Sequence, residues 1–137
     1  MKFSLVLLQF IVLVILQTVT FVGLYEIGFR LDIWITQTSP RLGISYGIGI
    51  YYGVRLFCIL ASINAAFVIF KADNKYKVVN ILVCLFIFCW FFSGIVSTRP
   101  YKFLIILISG IVAFLVPTLY AFLKNKISIR YQKQSVN

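Results

Sequence analysis

The sequence contains no histidine and only three acidic residues among its 137. The acids are Glu26, Asp32 and Asp73, and each lies in a flank or loop between apolar runs. Acid–base catalysis draws mainly on His, Asp, Glu or a tuned Lys, and metal sites draw on His, Cys and carboxylates. The shortage predicts a protein that is not an enzyme and that holds no metal or cofactor. Proton-coupled transport is disfavoured too, since such carriers use ionisable groups inside the membrane.

Cysteine is also scarce. Cys58, Cys84 and Cys89 all lie within apolar runs, and no two of them form a C-x-x-C pair. Buried thiols of this kind behave as small hydrophobic side chains. The pattern therefore predicts neither a disulfide framework nor a metal site.

Charged residues make up 12% of the chain and hydrophobic residues 62%, with a mean hydropathy of +1.04. Soluble domains are nearer about 45–50% apolar, so the composition indicates a membrane protein. The net charge is +10, from 13 basic and 3 acidic residues. Because the basic residues cluster in the gaps between apolar runs, where they set topology, we expect the lipid bilayer, and not nucleic acid, as the partner.

Four apolar stretches are long enough to cross a bilayer, which needs about 20 residues in a helix. They cover approximately residues 3–24, 44–70, 78–96 and 103–123. The spans leave no room for a soluble domain. The predicted fold is an all-α membrane protein, a four-transmembrane-helix bundle in one domain over residues 1–137.

Basic residues in the short flanks predict the orientation, because they are retained on the cytoplasmic side. One side carries Lys2, Lys71, Lys75, Lys77, Lys124, Lys126, Arg130 and Lys133, and the other carries Arg30, Arg41, Arg99 and Lys102. Both termini are therefore predicted to be cytoplasmic. A bacterial inner membrane is the expected location.

Arg55 lies inside the second apolar run. A helix ending near Lys71 places Arg55 about 24 Å along its axis, close to the outer edge of a ~30 Å hydrocarbon core. From there an arginine can reach water, so the leading interpretation is an anchor. The alternative is an anion or partner contact facing the bundle interior, with Tyr51, Tyr52 and Ser62 beside it on the same helical face.

Glycines mark a different face of the same helix. Gly49 and Gly53 lie about 40° apart on the helical wheel, whereas Arg55 is about 160° from Gly53. Spacing of this kind permits close helix approach, and Asn64 on the glycine face is placed to hydrogen-bond across it. We expect these residues to pack within the chain's own bundle, and the alternative is a contact between two copies of the chain. In the first span, the predicted packing face consists of Gln9, Leu16, Thr20 and Gly23.

Residues 25–43 join the first two spans and are long for a connection in so small a protein. Residues 29–35 fit a short strand by alternation, but Ile27, Leu31, Trp34 and Ile35 also fit an interfacial helix. The segment is expected to lie on the outer leaflet, and the functional alternative is that it meets a partner protein.

Two hypotheses of function follow. The first is a non-enzymatic membrane protein that packs against a partner within the bilayer, as an accessory subunit or inhibitor. In size, span count and basic flanks the chain is similar to small bacterial immunity and exclusion proteins. The second is a carrier or pore component for a lipid or anion, with Arg55 as the anion contact.

Overall fold

Four helices account for nearly all of the structure, a computed structural model that describes residues 2–37, 44–70, 73–93 and 100–135. Their bounds are α1 (Lys2–Thr36), α2 (Ile44–Ile69), α3 (Asn74–Phe92) and α4 (Pro100–Ser135). All four are long and apolar enough to cross a membrane. The prediction of an all-helical chain with four such helices is confirmed.

The helices differ from the predicted spans mainly at their ends. α2 begins at the expected residue, whereas α1 and α4 continue about three turns beyond the predicted ends at 24 and 123. Residues 25–36 therefore form neither a strand nor a separate interfacial helix, but extend α1. The helix is followed by Gln37, whose φ of 50° is a left-handed conformation of the kind that often closes a helix.

α3 starts at Asn74, four residues before the predicted start of the third span, and Asp73 occupies its N-cap position, where its carbonyl accepts from the Lys77 N–H at 3.1 Å. Its last residue is Phe92, and the predicted end at 96 lies outside the described residues. α4 starts with Pro100, a favoured residue in the first helical turn since its missing N–H has no partner there. The helix runs on through Pro117.

Neighbouring helices are antiparallel. Gln17 of α1 bonds to Ala61 of α2, while Phe21 stacks on Phe57, so residue numbers rise along one helix as they fall along the other. α1 and α3 each contact α2 and α4, and α2 also meets α4 across the centre. We call the end that holds Lys2 and Ser135 the termini end, and the end where α1 stops and α4 begins the far end.

The core is a layer of phenylalanines. Phe57 stacks on Phe21 with ring centroids 4.4 Å apart and on Phe114 at 4.9 Å. Phe88 meets Phe57 edge-on at 5.9 Å. These aromatic contacts join all four helices, because the rings come from α1, α2, α3 and α4 in turn. Large apolar side chains also cover the outside, as Phe86 and Trp90 show with exposures of 73% and 74%, which suits a surface facing lipid.

Candidate functional site

Arg55 lies on the exposed surface of α2. Its guanidinium carbon is 4.1 Å from the centroid of the Tyr51 ring, and Nη2 donates a hydrogen bond to the Tyr51 hydroxyl. Helical side chains lean toward the N-terminus of their helix, so Arg55 reaches back one turn toward the far end. This is the geometry of a side chain that extends toward an interface, away from the bundle interior.

Tyr52 and Ser62 were also predicted to lie beside Arg55, but only Tyr52 does so. Tyr52 is exposed and meets Tyr51 edge-on, with centroids 5.6 Å apart. Ser62 donates to the carbonyl of Cys58 at 2.8 Å, a bond within its own helix. Arg55, Tyr51 and Tyr52 thus form one surface cluster, and Ser62 is not part of it. Glu26, an acid of the far end, accepts a hydrogen bond from Arg30 of its own helix at 3.0 Å.

Asn64 is the centre of a buried polar cluster, and it is only 1% exposed. Its Nδ2 donates to Gln17 Oε1 at 3.1 Å and to the carbonyl of Phe114 at 2.8 Å. Its Oδ1 accepts from Asn80 Nδ2 at 3.4 Å. One amide side chain of α2 therefore bonds to α1, α3 and α4.

Gln17 and Cys84 extend this cluster. Gln17 is fully buried, and its Nε2 donates to the carbonyls of Leu13 at 3.3 Å and Ala61 at 3.1 Å. The Cys84 thiol lies 3.9 Å from both the Leu60 carbonyl and Asn80 Oδ1. We refer to Gln17, Asn64, Asn80 and Cys84 as the polar cluster.

The polar cluster meets α4 at its proline turn. Pro117 has no N–H, so the carbonyl of Ala113 loses its usual donor one turn ahead. Asn64 binds the next carbonyl, that of Phe114. A threonine hydroxyl within a helix often donates to the carbonyl four residues back, which for Thr118 is the same Phe114 carbonyl. The Thr118 Oγ1 is instead buried without a partner within the described part of the chain. The amide of a neighbouring helix thus bonds to the backbone beside the proline, which is how membrane bundles tolerate proline.

Gly53 is buried, and it faces an aromatic ring of α3. A Cβ at this position would lie 2.5 Å from Cζ of Phe92. The sequence predicted that another helix would approach the glycine face closely. At Gly53 the group that approaches is the Phe92 ring of α3, within the same chain. Gly49 belongs to α2, but its surroundings lie outside the described residues.

The packing face of α1 was predicted wrongly. The buried positions are Leu13, Gln17 and Phe21, with exposures of 2%, 0% and 4%. Leu16 is exposed, and nothing lies within 4 Å of a Cβ built on Gly23. The prediction followed the small residues of α1, and these do not lie on its buried side. A better signal was Gln17 itself, since a polar side chain within a spanning helix usually faces the bundle; the same signal was available for Asn80.

The described residues contain no group of three or more His, Cys, Asp or Glu side chains that could hold a metal ion. The polar cluster consists of amides and a thiol that bond to one another and to backbone carbonyls. Such an arrangement holds helices together. Comparisons with protein families, curated proteins and solved structures give no match for this chain.

Proposed function

We propose that the chain is a bacterial inner-membrane protein, with both termini in the cytoplasm, that acts without catalysis by binding a partner membrane protein. An accessory subunit or an inhibitor of the immunity or exclusion type fits this description. The orientation is supported by the basic side chains at the termini end. In the described residues that end has one acid, Asp73, against seven basic residues: Lys2, Lys75, Lys77, Lys124, Lys126, Arg130 and Lys133.

The length of α1 supports partner binding. α3 has 19 residues and is about 28 Å long, which matches a ~30 Å hydrocarbon core. α1 has 35 residues and is about 52 Å long. Even a tilt of about 40° leaves α1 about 10 Å too long for the core. Part of α1 must therefore project beyond the hydrocarbon.

The helix contacts indicate which part projects. Gln17 bonds to Ala61, and Cys84 approaches the adjacent Leu60 carbonyl, so Gln17 is level with the middle of α3. Half of a ~30 Å core corresponds to about ten helical residues. The hydrocarbon then ends near Ile27 on α1, and the rest of α1 lies beyond it at the far end.

The projecting segment carries an exposed apolar face, and this observation carries the proposal. Ile27, Leu31 and Trp34 follow one another at helical spacing, with exposures of 58%, 52% and 77%, and Ile35 beside them is 71% exposed. We call these four residues the far-end stripe. Contiguous apolar surface outside the hydrocarbon marks an interaction site in proteins. A partner helix or domain standing beside α1 would cover it.

The alternative, a carrier or pore component for a lipid or anion, depends on Arg55. An anion passing through the bundle would need that charge on an interior path, but Arg55 is exposed and directed toward the far end. The buried amides of the polar cluster bond to one another. The partner-binding hypothesis therefore has the better support.

Photocrosslinking in native membranes tests the proposal. A photoreactive amino acid replaces Leu31 or Trp34 in the far-end stripe, and Leu82 of α3, 59% exposed within the hydrocarbon, is the matched control. We expect a discrete protein adduct from positions 31 and 34 and only lipid adducts from 82. Lipid adducts alone at all three positions would contradict the proposal.

A flux assay tests the alternative separately. The purified chain is reconstituted in liposomes without other proteins, and anion or lipid movement is measured. We expect no flux above that of empty liposomes. Flux that Arg55→Gln abolishes would overturn the partner-binding proposal in favour of a carrier.

A further inference from the structure

An apolar groove lies between α1 and α2 at the termini end. It has a volume of about 240 Å³, and all seven of its lining side chains are apolar. Phe3 and Phe10 line it from α1, and Ala66 and Phe70 line it from α2. Because Ala66 is small among large neighbours, it leaves space that a longer side chain would fill.

The groove runs along the membrane normal. Phe3 lies 14 residues and Phe10 seven residues from Gln17, which is level with the middle of the hydrocarbon. At ~1.5 Å per residue, these distances are about 21 Å and about 10 Å. One end of the groove is thus at the level of the lipid headgroups, and the other is inside the ~30 Å hydrocarbon core. A phospholipid acyl chain has the same position and direction.

Lysines lie at the same end of the bundle as the headgroup end of the groove. Lys2 is exposed and directly precedes Phe3, and Lys75 follows Phe70 by five residues at the start of α3. Lys77 lies two residues after Lys75, and Asp73 is the one acid among the described residues of that end. The excess of lysine favours a lipid that carries net negative charge, since each basic residue near a surface adds to the attraction.

The lining and the charge of the groove favour a lipid chain as its occupant. All of the lining side chains are apolar, and the volume of about 240 Å³ accommodates part of one flexible hydrocarbon chain. We propose that the groove binds one acyl chain of an anionic phospholipid, whose phosphate contacts Lys2 and the neighbouring lysines. This site is separate from the far-end stripe and does not depend on the proposed partner.

Native mass spectrometry of the full chain tests the proposal. The protein is released from nanodiscs that contain equal parts of phosphatidylglycerol and phosphatidylcholine with identical acyl chains. We expect one phosphatidylglycerol to be retained per protein. Ala66→Phe fills the groove and should abolish retention, whereas Ile63→Phe, on the exposed surface of α2 outside the lining, should leave it unchanged.

A charge variant tests the headgroup contact. Lys2→Gln should lower the preference for phosphatidylglycerol over phosphatidylcholine about fivefold, the effect of one basic residue near the surface. Lys133→Gln, near the end of α4, is the control and should keep the wild-type preference. Equal retention of the two lipids by the wild type would overturn the anionic assignment.

Two further results would overturn the groove itself. One is wild-type retention by Ala66→Phe, and the other is equal loss of lipid from Ala66→Phe and Ile63→Phe. If Ala66→Phe does not fold, Leu7→Trp fills the same groove from α1 and replaces it in the comparison. A dimeric mass in place of a bound lipid would assign the groove to a second copy of the chain and refute the lipid.

Discussion

Replacing Asn64 with leucine should destabilise the bundle more than any single polar substitution on its surface. Asn64 bonds to Gln17 at 3.1 Å, to the Phe114 carbonyl at 2.8 Å and to Asn80 at 3.4 Å. Leucine has a similar size but makes none of these bonds. The bonds of Asn64 to three helices are therefore lost at once, while Gln17 and Cys84 keep their contacts with the Ala61 and Leu60 carbonyls of α2.

The magnitude follows from the number of bonds. A hydrogen bond between membrane helices contributes about 0.6 kcal/mol on average, so three contribute about 2 kcal/mol. Gln17 Oε1 and Asn80 Nδ2 also lose a partner while buried, which costs about 1 kcal/mol or more for each group. The better apolar packing of leucine offsets part of this loss. We expect Asn64→Leu to lower the free energy of unfolding by about 2 to 4 kcal/mol.

Reversible unfolding in mixed micelles, with increasing SDS and helicity followed by circular dichroism, measures this change. Asn125→Leu is the matched control, because Asn125 is exposed on the part of α4 beyond the predicted span. A second test adds Gln17→Leu to Asn64→Leu. Because both variants remove the same bond, the double variant should lose about 1 kcal/mol less than the sum of the singles. If Asn64→Leu stays within about 0.5 kcal/mol of the wild type, the polar cluster does not hold the bundle together.

Three further predictions concern packing, anchoring and topology. Gly53→Leu should lower the free energy of unfolding by about 1 to 3 kcal/mol, since the added side chain meets a packed ring. Gly23→Leu is the control and should be neutral, because its side chain would point into open space. Equal unfolding midpoints for the two variants would contradict this prediction. Arg55→Lys should keep membrane abundance and orientation close to wild type on quantitative immunoblots, because lysine reaches the same interface, and loss of the protein would refute the anchor. In a variant without native cysteines, an impermeant maleimide added to intact cells should label Ile35→Cys and spare Lys75→Cys; the reverse pattern would invert the proposed orientation.

Much of the fold could be predicted from local composition. Apolar runs of about 20 residues predict spanning helices whatever surrounds them, because a backbone in hydrocarbon must satisfy its own hydrogen bonds. The ends were less predictable. Residues 25–36 continue α1 because nothing in them stops a helix, although their polar side chains ended the apolar run in sequence.

The candidate sites were predicted less completely. Asn64 could be assigned to a packing face from its position in the second span, and it lies in the polar cluster. Gln17 was assigned to no face, and the glycine, threonine and leucine beside it indicated the wrong side of α1. Wheel positions within one helix do not say which face meets another helix when nearly every face is apolar.

The sequence by itself determined that the chain has four helices long and apolar enough to cross a membrane, because hydrophobic length is a local property. It also determined that Arg55 and the glycine face point in different directions, since both lie on one helix. Only the tertiary structure decided which polar groups meet. Asn64, Gln17 and Asn80 are 16 to 63 residues apart in the chain. They meet because antiparallel helices of different lengths bring these three positions to the same level of the bundle. The sequence of one helix does not determine how it is aligned with its neighbours.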